Sequence, residues 1–415
     1  MMRHTILIAS LCLSVLSLSC GTELQVIVPD VESLQYLDGT TPVPIGQRRL
    51  LEGIFQIDDA SQRFGTTVVL KHDGETLSMF SARNVSYMVL QSGIKDSTIR
   101  FAGYWRFAQG SETGLCILEI SPDDGARDIL NGQRPKSLTL RGFTGGPSER
   151  PRIPVTMKYQ RAIKARTGGF WIIAHRGGGR NSDRLPYSEN SLELIRYASK
   201  LGANGVEIDI KLTKDRVPIL YHDATFNTRL VDGEYLVGDI ANYTYPQILA
   251  LGTLKNGEKI PTLEESLKTI VERTLLSYVW LDVKDVTAMD TIIALQRKYL
   301  AYAASKGRQL EIAFGLPDET LYNRFRERSD YSNIPSICEL GVEQTRTVNA
   351  TVYAPRWTLG TQPDIVKDMQ KEKRRCFVWT LDQPEFIVKY MQEGDFDGIL
   401  TNYPTLVAYY QYVQP

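Results

Sequence analysis

Two histidines and three carboxylates stand at or near the ends of apolar runs in the second half of the chain. The runs lead into His175-Arg176-Gly177, Glu207 with Asp209, His222-Asp223, Asp282 with Lys284, and Trp379-Thr380. Residues at i and i+2 of a strand point the same way, so Glu207 and Asp209 share a face. Two carboxylates that close repel unless one is protonated or a cation bridges them. Asp282 brings a third oxygen donor, and such a set suits a hard divalent cation, Mg²⁺ or Ca²⁺. Any one of these acids is ordinarily a helix cap or half of a salt bridge, and a lone histidine is ordinarily structural; the joint pattern points to chemistry. Two imidazoles beside a cation can divide the work of a displacement. One takes a proton from the nucleophile and the other gives one to the leaving oxygen. Arg176 and Lys284 add positive charge for an anionic centre. A phosphodiester, whose charge spreads over its oxygens in the transition state, uses all of these groups.

These side chains meet only if the runs are strands of one barrel. Strands are expected at 170–174, 205–210, 217–221, 279–283, 310–314, 337–340, 377–379 and 398–400, with 352–354 a rival for the sixth. Helical patterns separate them. Asn190 with Glu193 reads as an N-cap pair, followed by Leu194, Ile195, Ala198 and Leu201 at helical spacing and by Gly202 as a stop. Thr262 with Glu265 opens a second helix and Pro363 a third. Asp382 with Glu385 caps a fourth, which Gly394 closes. This alternation predicts an α/β (β/α)₈ TIM barrel, in which the C-terminal ends of the strands face one mouth.

The preceding part of the chain has another rhythm. Strands are expected at 53–57, 67–71, 76–82, 86–91, 98–106, 113–120, 137–142 and 153–159, several alternating apolar and polar residues. Asp73-Gly74 is a hairpin signal, and His72 beside it reads as turn chemistry. The spacing predicts a smaller all-β sandwich or barrel. Tyr87, Phe101, Tyr104 and Trp105 form a glycan- or lipid-binding face, a self-association contact or plain core; the sequence leaves these open. The expected organisation is a leader at 1–19, an all-β domain at 20–160, a linker at 161–169 and the TIM barrel at 170–415.

Lys plus Arg equals Asp plus Glu at 48 each, so no concentrated basic surface for nucleic acid is expected. A hydrophobic content of 42% excludes bulk disorder. Arg3, the apolar run 6–18 and the small Ser19 before Cys20 describe an export signal. The ending LSLSC resembles a bacterial lipobox, with Ser17 where leucine is usual, and makes Cys20 the acylated first residue of an exported, membrane-anchored lipoprotein facing the periplasm or cell surface. Cys116, Cys338 and Cys376 then remain besides Cys20, read as buried free thiols without zinc spacing.

The segments IIAHRGGG, SENSLEL, GANGVEIDIKLTKDRVPILYHD, PTLEESL, LDVK and VWTLDQPEFIVKYMQEGDFDGILTNYP occur in an order that resembles the glycerophosphodiester phosphodiesterase family, over about residues 170–410. The resemblance implies a TIM barrel that hydrolyses glycerophosphodiesters to glycerol phosphate and an alcohol with a divalent cation. It implies Glu207 and Asp209 as metal ligands, with Asp282 at a position where the family usually has glutamate. It implies His175 and His222 as the acid–base pair, and Arg176 and Lys284 at the phosphate. Trp379 would pack against substrate, and Glu189 would be a metal ligand or its support. The loop 180–187 is longer than in the simplest members, and the stretch 223–260 is modest, with Asp232-Gly233-Glu234 as a turn. Two alternatives stand beside this: a phospholipase D-like activity on lysolipids or sphingomyelin, and a non-catalytic surface lipoprotein that binds a glycan or a headgroup.

Overall fold

The computed structural model describes residues 26–164 and 169–414; the expected leader, Cys20 and part of the expected linker lie outside them. Eight antiparallel strands close the first barrel: β1 Gly53–Ile57, β2 Thr67–Asp73, β3 Thr76–Phe80, β4 Ser86–Lys95, β5 Thr98–Phe107, β6 Thr113–Ile120, β7 Thr139–Thr144 and β8 Ile153–Arg161. Each pairs with the next, and β8 returns to β1 with Phe55 opposite Tyr159. That closing ladder makes it a barrel and removes the sheet edges. Alternation sorts the side chains: Val68, Leu70, Phe101 and Trp105 fill the interior, whereas Val69, Tyr87 and Tyr104 point outward onto the second barrel. His72 belongs to β2, opposite Leu77. Its ring takes no part in the turn, since both ring nitrogens are buried without a hydrogen-bond partner.

The second barrel has eight parallel strands: β9 Trp171–Ala174, β10 Gly205–Leu212, β12 Tyr278–Val283, β13 Glu311–Leu316, β14 Ser336–Cys338, β15 Val352–Tyr353, β16 Arg375–Val378 and β17 Gly398–Thr401. Parallel pairing runs unbroken around the ring, and β9 closes it against both β10 and β17. Helices such as Leu263–Arg273, Met289–Ser305 and Pro404–Val413 coat the outside. Inward-facing Ile173, Tyr278, Trp280, Ile337, Val352, Phe377 and Leu400 pack the floor of the barrel. The expected third strand is not a barrel member. The short β11, Pro218–Leu220, runs antiparallel to the end of β10. The segment expected as a rival, around Val352, is a genuine strand and completes the eight. Beyond β11, residues 223–260 form a lobe with its own core, including Phe226, Leu230, Leu236, Ile248 and Ile260.

Two expected caps are corrected. Ser191, not Asn190, caps the helix Leu192–Tyr197, its side chain accepting from the Leu194 N–H. Gln383, not Asp382, stands at the cap of Pro384–Gln392. In both cases the displaced residue is held by the active-site wall. The Thr262–Glu265 capping box forms as expected.

The barrels share a continuous apolar cluster in which Ile54, Val69, Phe80 and Val89 meet Leu194, Leu201, Leu406, Val407 and Ala408. Polar contacts seal it. The Tyr104 and Tyr197 hydroxyls lie 2.5 Å apart, and Ser199 Oγ donates to Asp73 Oδ2 at 2.6 Å. Gly202 ends its helical segment at φ 98°, and a Cβ there would lie 2.6 Å from Ala408 Cβ. Glycine is required by both the left-handed backbone and the close approach.

Candidate active site

Strand register brings the acids together. Asp209 of β10 lies directly opposite Asp282 of β12, and Glu207 precedes Asp209 by one inward step. One carboxylate oxygen from each of Glu207, Asp209 and Asp282 lies within 4.8 Å of the other two. Glu207 stands level with Trp280 in the ladder, and Asp209 and Asp282 stand one inward step nearer the C-terminal mouth. Burial and then the charges of Asp209 and Asp282 push Glu207 well above the usual carboxylate range. Burial also raises Asp282. Asp209 goes the other way: burial opposes ionisation, but Lys284 and then His222 and His175 hold its carboxyl down.

This cluster is short of positive charge. Lys284 Nζ bonds Asp282 Oδ2 and lies 3.2 Å from Asp209 Oδ1. One ammonium cannot balance three carboxylates. Glu207 Oε1 and Asp282 Oδ1 are buried without any hydrogen-bond partner, which is costly unless another donor or a cation faces them. The donor set is all oxygen, so the residues present fit a hard divalent cation.

The histidines flank the acids. His175 follows β9, its Nε2 3.8 Å from Glu207 Oε2. Its Nδ1 lies 2.8 Å from Asn402 Oδ1, and Asn402 Nδ2 donates to Asp382 Oδ2 at 2.6 Å. Asp382 thus orients the amide so that its oxygen faces the imidazole. That oxygen can only accept, which places a proton on Nδ1 and leaves Nε2 as a lone-pair acceptor. Burial first, and then the charge of Arg176, lowers His175 to about 4, so the ring is neutral at ordinary pH.

His222 arrives by a different route from the expected one. The antiparallel β11 descends toward the mouth, and the Tyr221 N–H donates to the Asp209 carbonyl at 3.0 Å. His222 Nδ1 then lies 2.7 Å from Asp223 Oδ1. Asp223 also accepts from Arg229 Nη2 at 2.7 Å and Asn227 Nδ2 at 2.8 Å. Burial would raise Asp223, but the bonds from Arg229, His222 and Asn227 outweigh it and keep the carboxylate ionised.

Arg176 adopts φ 54°, and its N–H donates to Glu207 Oε2 at 2.7 Å. Its guanidinium pairs with Glu189 at 2.8 Å, while Nε is buried with no partner. Glu189 also receives Arg229 at 3.2 Å and the Asn181 N–H at 2.8 Å. It does not reach the three-acid cluster as a ligand; it anchors two arginines beside it. Trp379 follows β16, fixed by its Nε1 donating to the Ala354 carbonyl at 2.8 Å and by Arg356 stacked 4.8 Å over its ring.

Several participants escape sequence reasoning. Asn190 Nδ2 donates to Asp209 Oδ2 at 2.9 Å, and its Oδ1 accepts from the Asp209 N–H at 3.2 Å. Asn402, Asp382, Asp223, Asn227 and Arg229 each hold a site residue. Glu339, just past β14, is half-buried near Asp282 and Lys284, and desolvation and then the charge of Asp282 raise its carboxyl well above the usual range. Asn190 and Asn402 lie inside the quoted motifs, SENSLEL and GILTNYP, but an asparagine before a helix reads as a cap or turn.

Residues 175–406 match the glycerophosphoryl diester phosphodiesterase family. Among named relatives, glycerophosphodiester phosphodiesterase 1 of Bos taurus is 32% identical over 189 residues, 44% of this chain and 51% of that protein. The glycerophosphodiester phosphodiesterase of Caldanaerobacter subterraneus is 25% identical over 242 residues, 56% of this chain and 94% of that protein. The chain spans about half the length of the mammalian relatives it matches. Solved structures it resembles include a glycerophosphodiester phosphodiesterase from Parabacteroides distasonis, at 25% identity and TM-score 0.44, covering 56% of this chain and 92% of that one. Another is an Oleispira antarctica phosphodiesterase in complex with sn-glycerol-3-phosphate, at 19% identity and TM-score 0.44, covering 57% and 94%. The family match begins at His175, takes in every residue of the barrel mouth described above and ends past Asn402; by that match the chain belongs to the glycerophosphoryl diester phosphodiesterase family.

Proposed function

We propose that this protein hydrolyses glycerophosphodiesters to glycerol phosphate and an alcohol, with a divalent cation, Mg²⁺ or Ca²⁺, held by Glu207, Asp209 and Asp282. The observation that carries this reading is the meeting of three oxygen donors within 4.8 Å, flanked by two histidines whose Nδ1 atoms face a neutral amide oxygen and a carboxylate oxygen. When bound, the cation supplies Lewis-acid stabilisation of charge on the phosphate oxygens. Arg176, anchored by Glu189, and Lys284 neutralise the remaining anionic charge.

The partners of the histidines divide their roles. His175 carries its proton on Nδ1, toward the neutral Asn402 amide, so Nε2 accepts the proton of the attacking hydroxyl. His222 Nδ1 faces the ionised Asp223, which holds the ring in place, and His222 takes the other role, delivering the proton to the departing oxygen. The attacking hydroxyl is that of water or the substrate's own glycerol. Trp379 forms the wall against which the substrate packs. Independently, the sequence around Cys20 supports export and acylation; mass spectrometry of the mature N-terminus checks this, and an unmodified Cys20 rules it out.

The test is turnover of glycerophosphocholine, glycerophosphoethanolamine, lysophosphatidylcholine and sphingomyelin by the wild type, His175→Ala and His222→Ala. The reading expects release of glycerol phosphate from the first two substrates and a loss of at least a thousandfold in each variant. Preferred cleavage of the two lipids would move the assignment to a phospholipase D-like reaction. Near-wild-type rates in either variant would remove the acid–base pair.

A further inference from the structure

A buried guanidinium without a carboxylate partner lies where the barrels meet. Arg106, in β5, is 1% exposed. Its Nη1 donates to the Ile27 carbonyl at 2.9 Å and its Nε to the Arg184 carbonyl at 3.3 Å; Nη2 has no partner. Among the described residues no acid forms an ion pair with it. Burying a charge on main-chain carbonyls alone is unfavourable, and an apolar side chain would fill the same volume at lower cost. Packing therefore does not account for an arginine at this position; the two carbonyls it gathers do.

One of those carbonyls belongs to the loop 180–187, which the sequence marks as lengthened. Three residues earlier in that loop, the Asn181 N–H donates to Glu189 Oε2 at 2.8 Å, and Asn181 Oδ1 accepts the Glu189 N–H at 2.8 Å. Asn181 Nδ2 reaches the Arg229 carbonyl at 3.0 Å. Glu189 in turn holds the Arg176 guanidinium. The next loop residue after Arg184, Leu185, is buried in the apolar cluster that joins the barrels. Val28, beyond the second carbonyl, and Arg184 line one groove of about 810 Å³ with Pro186 and Arg229.

We propose that Arg106 is a positioning residue for the catalytic centre. Through the Arg184 carbonyl it fixes the loop 180–187, and with the loop Asn181, Glu189 and the guanidinium of Arg176. The first barrel is then part of the catalytic device, adding an anchor from outside the TIM barrel to those that Tyr403 and Asn256 give the same loop from within it. This rests on the assignment of Arg176 to the phosphate.

The test compares full-length wild type, Arg106→Met, Arg106→Lys and Ser199→Ala by amide hydrogen exchange and by kcat and KM. Ser199→Ala removes an equally direct bond between the barrels that involves neither Arg184 nor Asn181. Arg106→Met is expected to speed exchange in 180–187 at least tenfold, to leave the strands of the TIM barrel unchanged, and to lower kcat at least tenfold with a smaller change in KM. Arg106→Lys falls between it and wild type. Ser199→Ala stays within twofold of wild type. Unchanged loop exchange and kcat in both Arg106 variants, or the same pattern in Ser199→Ala, would overturn the proposal. If Arg106→Met does not fold, Arg106→Lys carries the test: loosening confined to 180–187 supports it, and loosening spread over both barrels overturns it. Exchange needs no substrate, so a wild type without turnover would refute the functional reading and leave this test standing.

Discussion

Asn190→Ala separates two roles for one residue. As a helix cap, Asn190 would contribute about 1 kcal/mol and leave the acids untouched. Its observed contacts are instead a donation to Asp209 Oδ2 at 2.9 Å and an acceptance from the Asp209 N–H at 3.2 Å, both buried. A hydrogen bond to a charged group is worth about 1.5–3 kcal/mol, and an orphaned buried donor adds to the loss. Alanine at φ 61° costs more still, of order 1 kcal/mol. The expected destabilisation is about 2–4 kcal/mol, read from denaturant unfolding without added cation. Asn190→Gly relieves only the backbone part. Calorimetric titration with Mg²⁺ or Ca²⁺ is expected to show affinity weakened about tenfold, because Asp209 loses the group that orients it. Ser191→Ala, the true cap, is expected to cost about 1 kcal/mol with affinity unchanged. If Asn190→Ala behaves like Ser191→Ala in both measurements, the reasoning about Asp209 is refuted.

Other predictions follow from the same contacts. Asn402→Leu removes the acceptor that sets the His175 tautomer and is expected to lower kcat about 10–100-fold with little change in cation affinity; equal kcat would contradict the role drawn for Asn402. Lys284→Met frees Asp209 and Asp282 from a competing ammonium, so titration is expected to show tighter cation binding, while kcat falls about tenfold from the lost phosphate charge. A fall in both, or in neither, would contradict it. His72 is lowered to about 4 by burial, then by Arg48 and Lys71. The unfolded chain therefore binds the extra proton between about pH 6.5 and 4, and stability falls as pH drops through that window. The loss is about 2 kcal/mol at pH 5, and His72→Leu is expected to flatten the slope measured by unfolding at pH 5 and 7. A fragment of residues 169–415 bares Leu201, Leu406 and Val407. It is expected to self-associate in size-exclusion chromatography, and a soluble, active monomer would contradict the shared core.

Much of this was legible in the chain, because the decisive signals are local. Strand ends followed by His, Arg, Glu or Asp mark a barrel mouth, and alternation marks the eight strands of the first barrel. What escaped depends on distant pairing. Barrel or sandwich is decided by Phe55 meeting Tyr159 across a hundred residues, which no local pattern encodes. The run around Ile219 is apolar whether its strand lies parallel or antiparallel, so its hairpin onto β10 cannot be told from a barrel strand by sequence pattern. Val352–Tyr353 is so short that it reads only as a rival to the strand before it, although both belong to the barrel. Asn190 and Asp382 look like caps in sequence because a cap needs only local residues, whereas their actual partners, Asp209 and Asn402, come from other strands. For Tyr87 and Tyr104 the local pattern leaves binding face, self-association contact and core open, and only the second barrel, which covers them, decides for core.

The central claim, that Glu207, Asp209 and Asp282 hold a catalytic divalent cation, is tested most directly by chelation and rescue of glycerophosphodiester hydrolysis in wild type and Asp209→Asn. The account predicts that chelator abolishes turnover, that Mg²⁺ or Ca²⁺ restores it in wild type with one ion bound per chain, and that neither ion restores it in Asp209→Asn. Turnover that persists at the untreated rate in chelator, or an Asp209→Asn protein rescued as fully as wild type, would contradict it.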